Sequence, residues 1–258
     1  MTAEYPTGLE PEADGAYVVD GQRVTMPVEV RAARQAAATF LVRHSAAQQV
    51  IEHTGLRATR QPGGKAIASL ALVDYTDNDL GSYKELALAF VVDDTEPPTG
   101  EKPKPVSTLI HRLPVTEHFT CAAGRGIWGF PKWIADLSVD FDDRGATCVL
   151  REGDTDVVRI TMRRGRIPLP RRPMPMNAFS CDEAGVVRRT AWGTNGTGRQ
   201  TVRPGGTTVE IGYGHPLADE LRTLGLPKRA LMTLFDDHMS ATFGRPEVVQ
   251  TSRRTLIA

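Results

Sequence analysis

Residues 66–93 constrain the fold most. Two long segments of strand character, 66–75 and 83–93, are built from Ala, Leu, Val, Phe and Tyr. Between them lies Thr76-Asp-Asn-Asp-Leu-Gly-Ser82, a composition that turns a chain back on itself. Strand alternation puts Tyr83 and Glu85 on one face of the second segment and Lys84 on the other. An inward carboxylate is costly unless paired or functional, whereas one at a strand mouth is not. The residues alone leave both placements open.

The rest of the chain follows the same pattern. Strand-like segments occur at 24–30, 37–42, 106–113, 134–142, 147–151, 157–163, 184–192, 207–211 and 230–243. Short helices are expected at 45–53, ended by Gly55, at 116–123, and at 215–225, where Leu217, Leu221 and Leu224 recur at helical spacing. About ten strands and three helices without a βαβ alternation give an α+β fold, mainly antiparallel β with peripheral helices. One domain is expected over 21–258, preceded by a loose polar arm at 1–20. Residues 96–105, with Pro97, Pro98, Pro103 and Pro105, read as a surface loop or flap. Residues 163–175 read as a solvated basic loop carrying Arg163, Arg164, Arg166, Arg171 and Arg172.

Composition narrows the function classes. The 258 residues carry 31 Lys+Arg and 31 Asp+Glu. That zero balance lacks the basic footprint of a protein built to wrap nucleic acid. Cys121, Cys148 and Cys181 are an odd, unpaired set, which suits neither a disulfide framework nor a zinc site. A reducing cytoplasmic location is therefore expected. The N-terminus has no basic start followed by an apolar run, and the longest apolar stretch, 86–92, is too short to span a bilayer.

Chemistry concentrates in Gly124-Arg-Gly-Ile-Trp-Gly-Phe-Pro-Lys-Trp-Ile-Ala-Asp136. Lys132 is set among aromatics and a proline. Burial disfavours an ammonium ion, and a neutral lysine can attack a ketone to form a Schiff base. An ordinary exposed lysine is the other reading of these residues. Gly124-x-Gly126-x-x-Gly129 fits a dinucleotide fingerprint as a string, but a fingerprint must leave a strand and open a helix, and Pro131 follows almost at once. Residues 193–198 resemble a P-loop until Arg199 and Gln200 stand where Lys and Ser/Thr belong. The six histidines make no metal-ligand spacing. His111 stands out because it lies in a strand just ahead of the lysine. Cys121 has no assignable His/Asn partners and reads as a small buried residue.

Gly124-Arg125 followed by Phe130-Pro131-Lys132 resembles the catalytic segment of the acetoacetate decarboxylase family. Gly81-Ser-Tyr-Lys-Glu85 resembles the family's Gly-x-Tyr-x-Glu element, His111 falls where the family often has a histidine, and His215-Pro-Leu-Ala-Asp-Glu-Leu221 is also similar. The likeness spans roughly residues 20–243. It implies a β-barrel or cone with outer helices, usually in a homo-oligomer, and cofactor-independent lyase chemistry on a small keto acid. Lys132 would be the Schiff-base lysine and Glu85 the carboxylate that handles a proton or contacts substrate. Tyr83, His111, Trp128 and Phe130 would border the substrate. A family arginine would hold the substrate carboxylate, with Arg31 the first choice and Arg23 and Arg34 the alternatives. The decarboxylases carry a second lysine directly after the catalytic one, and here that position is Trp133. Desolvation alone would then have to lower the Lys132 pKa. Acetoacetate-type decarboxylation, aldolase or dehydratase chemistry on pyruvate-like substrates, and non-catalytic keto-acid binding all fit this pattern.

Overall fold

The computed structural model describes residues 5, 7–94, 105–195 and 198–251. β1 (Tyr17–Val19) and β2 (Gln22–Val24) form a small hairpin, and the long β3 (Val28–Arg43) runs into α1 (His44–Ile51). β4 (Lys65–Asn78), β5 (Tyr83–Val91) and β6 (Val106–Val115) follow, then α2 (His118–Trp128) and the short β7 (Lys132–Ile134). β8 (Asp136–Phe141), β9 (Gly145–Glu152) and β10 (Thr155–Arg163) make a meander. β11 (Ile167–Arg171), β12 (Met174–Cys181), β13 (Val186–Asn195), β14 (Gly198–Arg203) and β15 (Thr207–Ile211) lead to α3 (Pro216–Thr223) and the final β16 (Met232–Thr251).

A closed ring of seven strands is the centre of this arrangement: β3-β4-β5-β6-β12-β13-β16, with β16 pairing back to β3. Each pair in the ring is antiparallel except β6 with β12. β14 and β11 continue outward from β16, and β7 adds in parallel to β6. A separate antiparallel sheet, β15-β10-β9-β8, completes the strands.

The largest apolar core joins the barrel's outer wall to that second sheet. It combines Ala36, Ala38 and Phe40 of β3 and Leu86, Leu88 and Phe90 of β5 with Val139, Cys148, Leu150 and Ile160, and with Leu217 and Leu221 of α3. Each Leu or Phe fully buried there contributes about 1.5–3 kcal/mol. β5 thus packs a core on its outer face and lines a cavity on its inner one, so residues 86–92 read as an unbroken apolar run. A second cluster gathers Ala122, Ala123, Ile127 and Trp128 of α2 with Tyr17, Val19, Val28 and Leu113.

The mainly antiparallel β class and the peripheral helices match the expectation. The strands, however, number sixteen among the described residues. The basic segment 163–175 is not a solvated loop throughout, because it contains β11 and the start of β12. Pro168 and Pro170 sit in β11, an edge strand, where a missing N–H costs no ladder bond. Arg171 is buried, and its Nε donates to Asp236 Oδ2 at 2.7 Å. Arg164 pairs with Asp237. The N-terminal arm, expected to be loose, is anchored over its described part: Tyr17 and Val19 are buried, and Leu9 N–H donates to Gly126 O at 2.8 Å. The expected flap at 96–105 lies outside the described residues apart from Pro105. Among the described residues no helix is long and apolar enough to cross a membrane.

Candidate active site

Helix α2 delivers the lysine. Glu117 caps its start by accepting from Phe119 N–H at 2.8 Å. At its end Gly129 takes φ 66°, a left-handed conformation that favours glycine, and Phe130 N–H closes back on Gly124 O at 3.0 Å. Pro131 stops the helix, and Lys132 enters β7 opposite Leu113 of β6. Alternation then separates the neighbours: Lys132 turns inward, while Trp133 turns away and stacks on His215 with ring centroids 6.4 Å apart. The Gly124 run occupies the last turns of α2, not a helix start, so its N–H groups do not form an anion cradle.

Inside the barrel Lys132 is 4% exposed and Glu85 7%. Lys132 Nζ lies 3.1 Å from Glu85 Oε2 and donates to Thr120 Oγ1 at 3.1 Å and to Tyr83 OH at 3.4 Å. It also sits 4.7 Å from the centroid of the Tyr83 ring. Tyr75 pairs opposite Tyr83 in the β4–β5 ladder, the two rings stack at 4.4 Å, and Tyr75 OH donates to Glu85 Oε1 at 3.3 Å. The hairpin therefore places Tyr83 and Glu85 inward. Gly124 is required by the lysine itself, since a Cβ there would stand 2.6 Å from Lys132 Cδ.

The electrostatics differ from the sequence expectation. Burial pushes the Lys132 pKa down, but Tyr83 and Glu85 pull it up and the net direction is upward. Burial, together with Glu85, raises Tyr83 and Tyr75, so both phenols keep their protons at neutral pH and act as hydrogen-bond partners. The resting site is an ammonium–carboxylate pair, not the free amine that desolvation alone would give.

The pair opens on a cavity of about 250 Å³ inside the barrel. Tyr83, Trp128 and Phe130 border it, and the two latter rings stack at 6.1 Å. Arg31 does not reach it. Its guanidinium is on the outer surface, bound to Asp77 and Asp79. Arg34 pairs with Asp74 and Arg23 with Glu12 and Asp14. The β3 side chains that border the cavity are Val28, Val30, Gln35 and Ala37, so among the described lining residues Lys132 is the one cation. His111 does not border this cavity; it lines a second pocket of about 320 Å³ together with Arg125, Phe130 and Lys132. Its Nε2 lies 3.1 Å from Glu220 Oε2 beside His53, on the face of β6 opposite Thr108 and Ile110, which border the cavity. Burial pushes Glu220 up, but Arg112 and His111 outweigh it and hold that carboxyl down at about 2.

Sequence reasoning missed Thr120 and Tyr75. Thr120 stands one turn before Gly124 on α2, the face the lysine crosses, and Tyr75 follows from the hairpin register. Among the described residues no three His, Cys, Asp or Glu side chains are grouped to hold a metal.

The sequence matches the acetoacetate decarboxylase family over residues 5–250. No match was found among curated proteins. An acetoacetate decarboxylase from Legionella pneumophila is similar in structure, with TM-score 0.65 and 17% identity over 97% of this chain and 99% of that one. Another acetoacetate decarboxylase structure gives TM-score 0.61 and 16% identity over 89% of this chain and 92% of that one. The enduracididine biosynthesis enzyme MppR, complexed with pyruvate, gives TM-score 0.61 and 13% identity over 97% and 99%. At these identities the structural likeness is one of fold, and the family match is carried by the sequence: the chain belongs to the acetoacetate decarboxylase family.

Proposed function

We propose that the protein is a cofactor-independent lyase that decarboxylates a β-keto acid through an imine on Lys132. One observation supports this above the rest: Lys132 and Glu85 form a buried pair in a cavity that brings no other charge among its described lining residues. Proton transfer from the Lys132 ammonium to Glu85 leaves two neutral groups. The net charge is unchanged, so burial does not oppose the step.

The free amine attacks the substrate ketone, and Glu85 returns its proton as the carbinolamine loses water to give an iminium. The iminium draws the electrons of the bond to the carboxylate, carbon dioxide leaves, and an enamine remains. Protonation at carbon and hydrolysis by water release a ketone and restore Lys132. Tyr75 and Tyr83, both protonated, orient the carboxyl and the nitrogen.

Aldolase chemistry on a pyruvate-like acid uses the same lysine but keeps the substrate carboxylate throughout. That anion would need a lasting cation partner, and the described lining residues supply none besides the reacting nitrogen. Decarboxylation removes the charge as a neutral gas, which apolar surroundings favour. A non-catalytic keto-acid binder is the second reading, favoured by the upward direction of the Lys132 pKa. Assembly as a cytoplasmic homo-oligomer belongs to the same proposal.

Carbon dioxide release, measured beside aldehyde consumption over a panel of α- and β-keto acids, tests the reading. Release from β-keto acids that is lost in Lys132→Ala supports it. Aldehyde consumption with pyruvate and no gas release would replace it with aldolase chemistry. Neither activity from folded protein would leave only binding.

A further inference from the structure

The cavity is longer than the Lys132–Glu85 pair needs. The ladder registers arrange its inner wall in rows. Glu85 stands beside Val73 and Gln35, then Ala87 beside Ala71 and Ala37, then Ala89 beside Ser69. All of these border the same cavity. From Glu85 to Ala89 is four residues of β5, about 13 Å at the usual strand rise of about 3.3 Å. On β3, β4 and β5 each step beyond the first row offers a methyl or a hydroxymethyl where a barrel filled with side chains would carry Val, Ile or Leu. Ile110 of β6 stands beside Ala89 and closes that row, and the wall across the cavity is apolar as well, with Met176 and Trp192. No described lining residue beyond the first row is charged.

We propose that this space takes the substrate's tail: the preferred substrate is a β-keto acid whose acyl chain runs several methylenes from the ketone along the alanine rows. This rests on the decarboxylase reading for the ketone end and adds the class of the other end. A buried methylene gains about 0.8 kcal/mol, which is about fourfold in binding. An acyl chain carries no polar atom of its own into the cavity, and few lining groups there are polar, chiefly Ser69, Thr108 and the Trp192 indole. A polar or charged tail would lose its water without replacement.

The test uses two measurements on the full chain. First, kcat/KM for carbon dioxide release is compared for acetoacetate, 3-oxohexanoate, 3-oxooctanoate and 3-oxodecanoate. Secondly, calorimetric affinity is measured for the matching straight-chain methyl ketones, which carry no carboxylate to lose. The expectation is a rise of about fifteenfold for each added pair of methylenes in both series, until the cavity is filled. Ala71→Phe, placed in the middle row, is expected to cut the ratio of long-chain to short-chain activity at least tenfold, and Ala71→Val to cut it less. Ketone affinity that rises with length while no acid releases gas would uphold the tail site and overturn the decarboxylase. Gas release that is flat or falls with length, with flat ketone affinity, would overturn the tail site and uphold the decarboxylase. A length preference untouched by both Ala71 variants would also overturn the placement.

Discussion

Gly124→Ala separates the lysine's chemistry from the fold. The added Cβ would meet Lys132 Cδ at 2.6 Å and Cε at 2.8 Å. Carbon atoms rest about 3.5–4.0 Å apart, so the lysine side chain must move by about 1 Å. Nothing of the helix backbone needs to move, because the clash is with the far end of a flexible side chain. Glycine inside a helix is about 1 kcal/mol less favourable than alanine, so the variant starts with a gain of that size. Displacing Lys132 Nζ disturbs its contacts with Glu85 and Thr120, and a 1 Å misplacement of a reacting group can cost about 10²-fold in rate. The expected outcome is a melting temperature within a few degrees of the parent and borohydride trapping with acetoacetate slowed about a hundredfold. Thermal melts and trapping rates on the same preparation decide it. Unchanged trapping at unchanged stability would refute the claim that the lysine must lie over Gly124.

Glu85→Gln removes the partner that pulls the Lys132 pKa up and leaves the burial that pulls it down. Without that opposite charge the midpoint of the trapping-rate profile should fall, while turnover drops at least ~10²-fold. In the parent, the raised Lys132 pKa adds stability below the lysine's ordinary value and loses it only as pH climbs past the higher folded value, so the Gln variant should lose this alkaline dependence in pH-resolved melts. Trp133→Lys puts its ammonium on the side where Trp133 meets His215, away from Lys132 Nζ. It should leave the trapping profile unmoved and cost about 2 kcal/mol of packing, read by urea unfolding. Glu220 carries the opposite sign: held at about 2 against an ordinary 4.5, it contributes stability above pH ~4.5 that is lost as pH falls towards 2. Glu220→Gln should flatten the acid limb of the stability curve.

Several of these features were legible in the sequence because they are local. The β4–β5 turn and the placement of Glu85 in the second strand follow from turn residues and alternation, whereas the helix expected at 116–123 stops short of the cap at Gly129 and the strand expected from 134 begins after Lys132. The arginine was not legible. β3 pairs with β4 through register shifts between Val30 and Ala33, so the inward phase changes from Val28 and Val30 to Gln35 and Ala37. Counting by twos along β3 therefore cannot say which face Arg31 or Arg34 takes. The shift between Leu88 and Ala89 in the β5–β6 ladder does the same for His111. The sign of the Lys132 shift was hidden for another reason. Desolvation can be guessed from neighbours in the chain, but Tyr83 and Glu85 are some fifty residues away and act only once the barrel closes. The proline-rich 163–175 segment misled because an edge strand tolerates what a central one does not.

Borohydride reduction in the presence of acetoacetate, followed by peptide mass analysis, tests the central claim most directly. The imine mechanism predicts a reduced adduct of the substrate-derived ketone on Lys132, dependent on keto acid and absent in Lys132→Ala. Folded protein that turns over or binds keto acids with no adduct at Lys132, or with the adduct on another lysine, would contradict it.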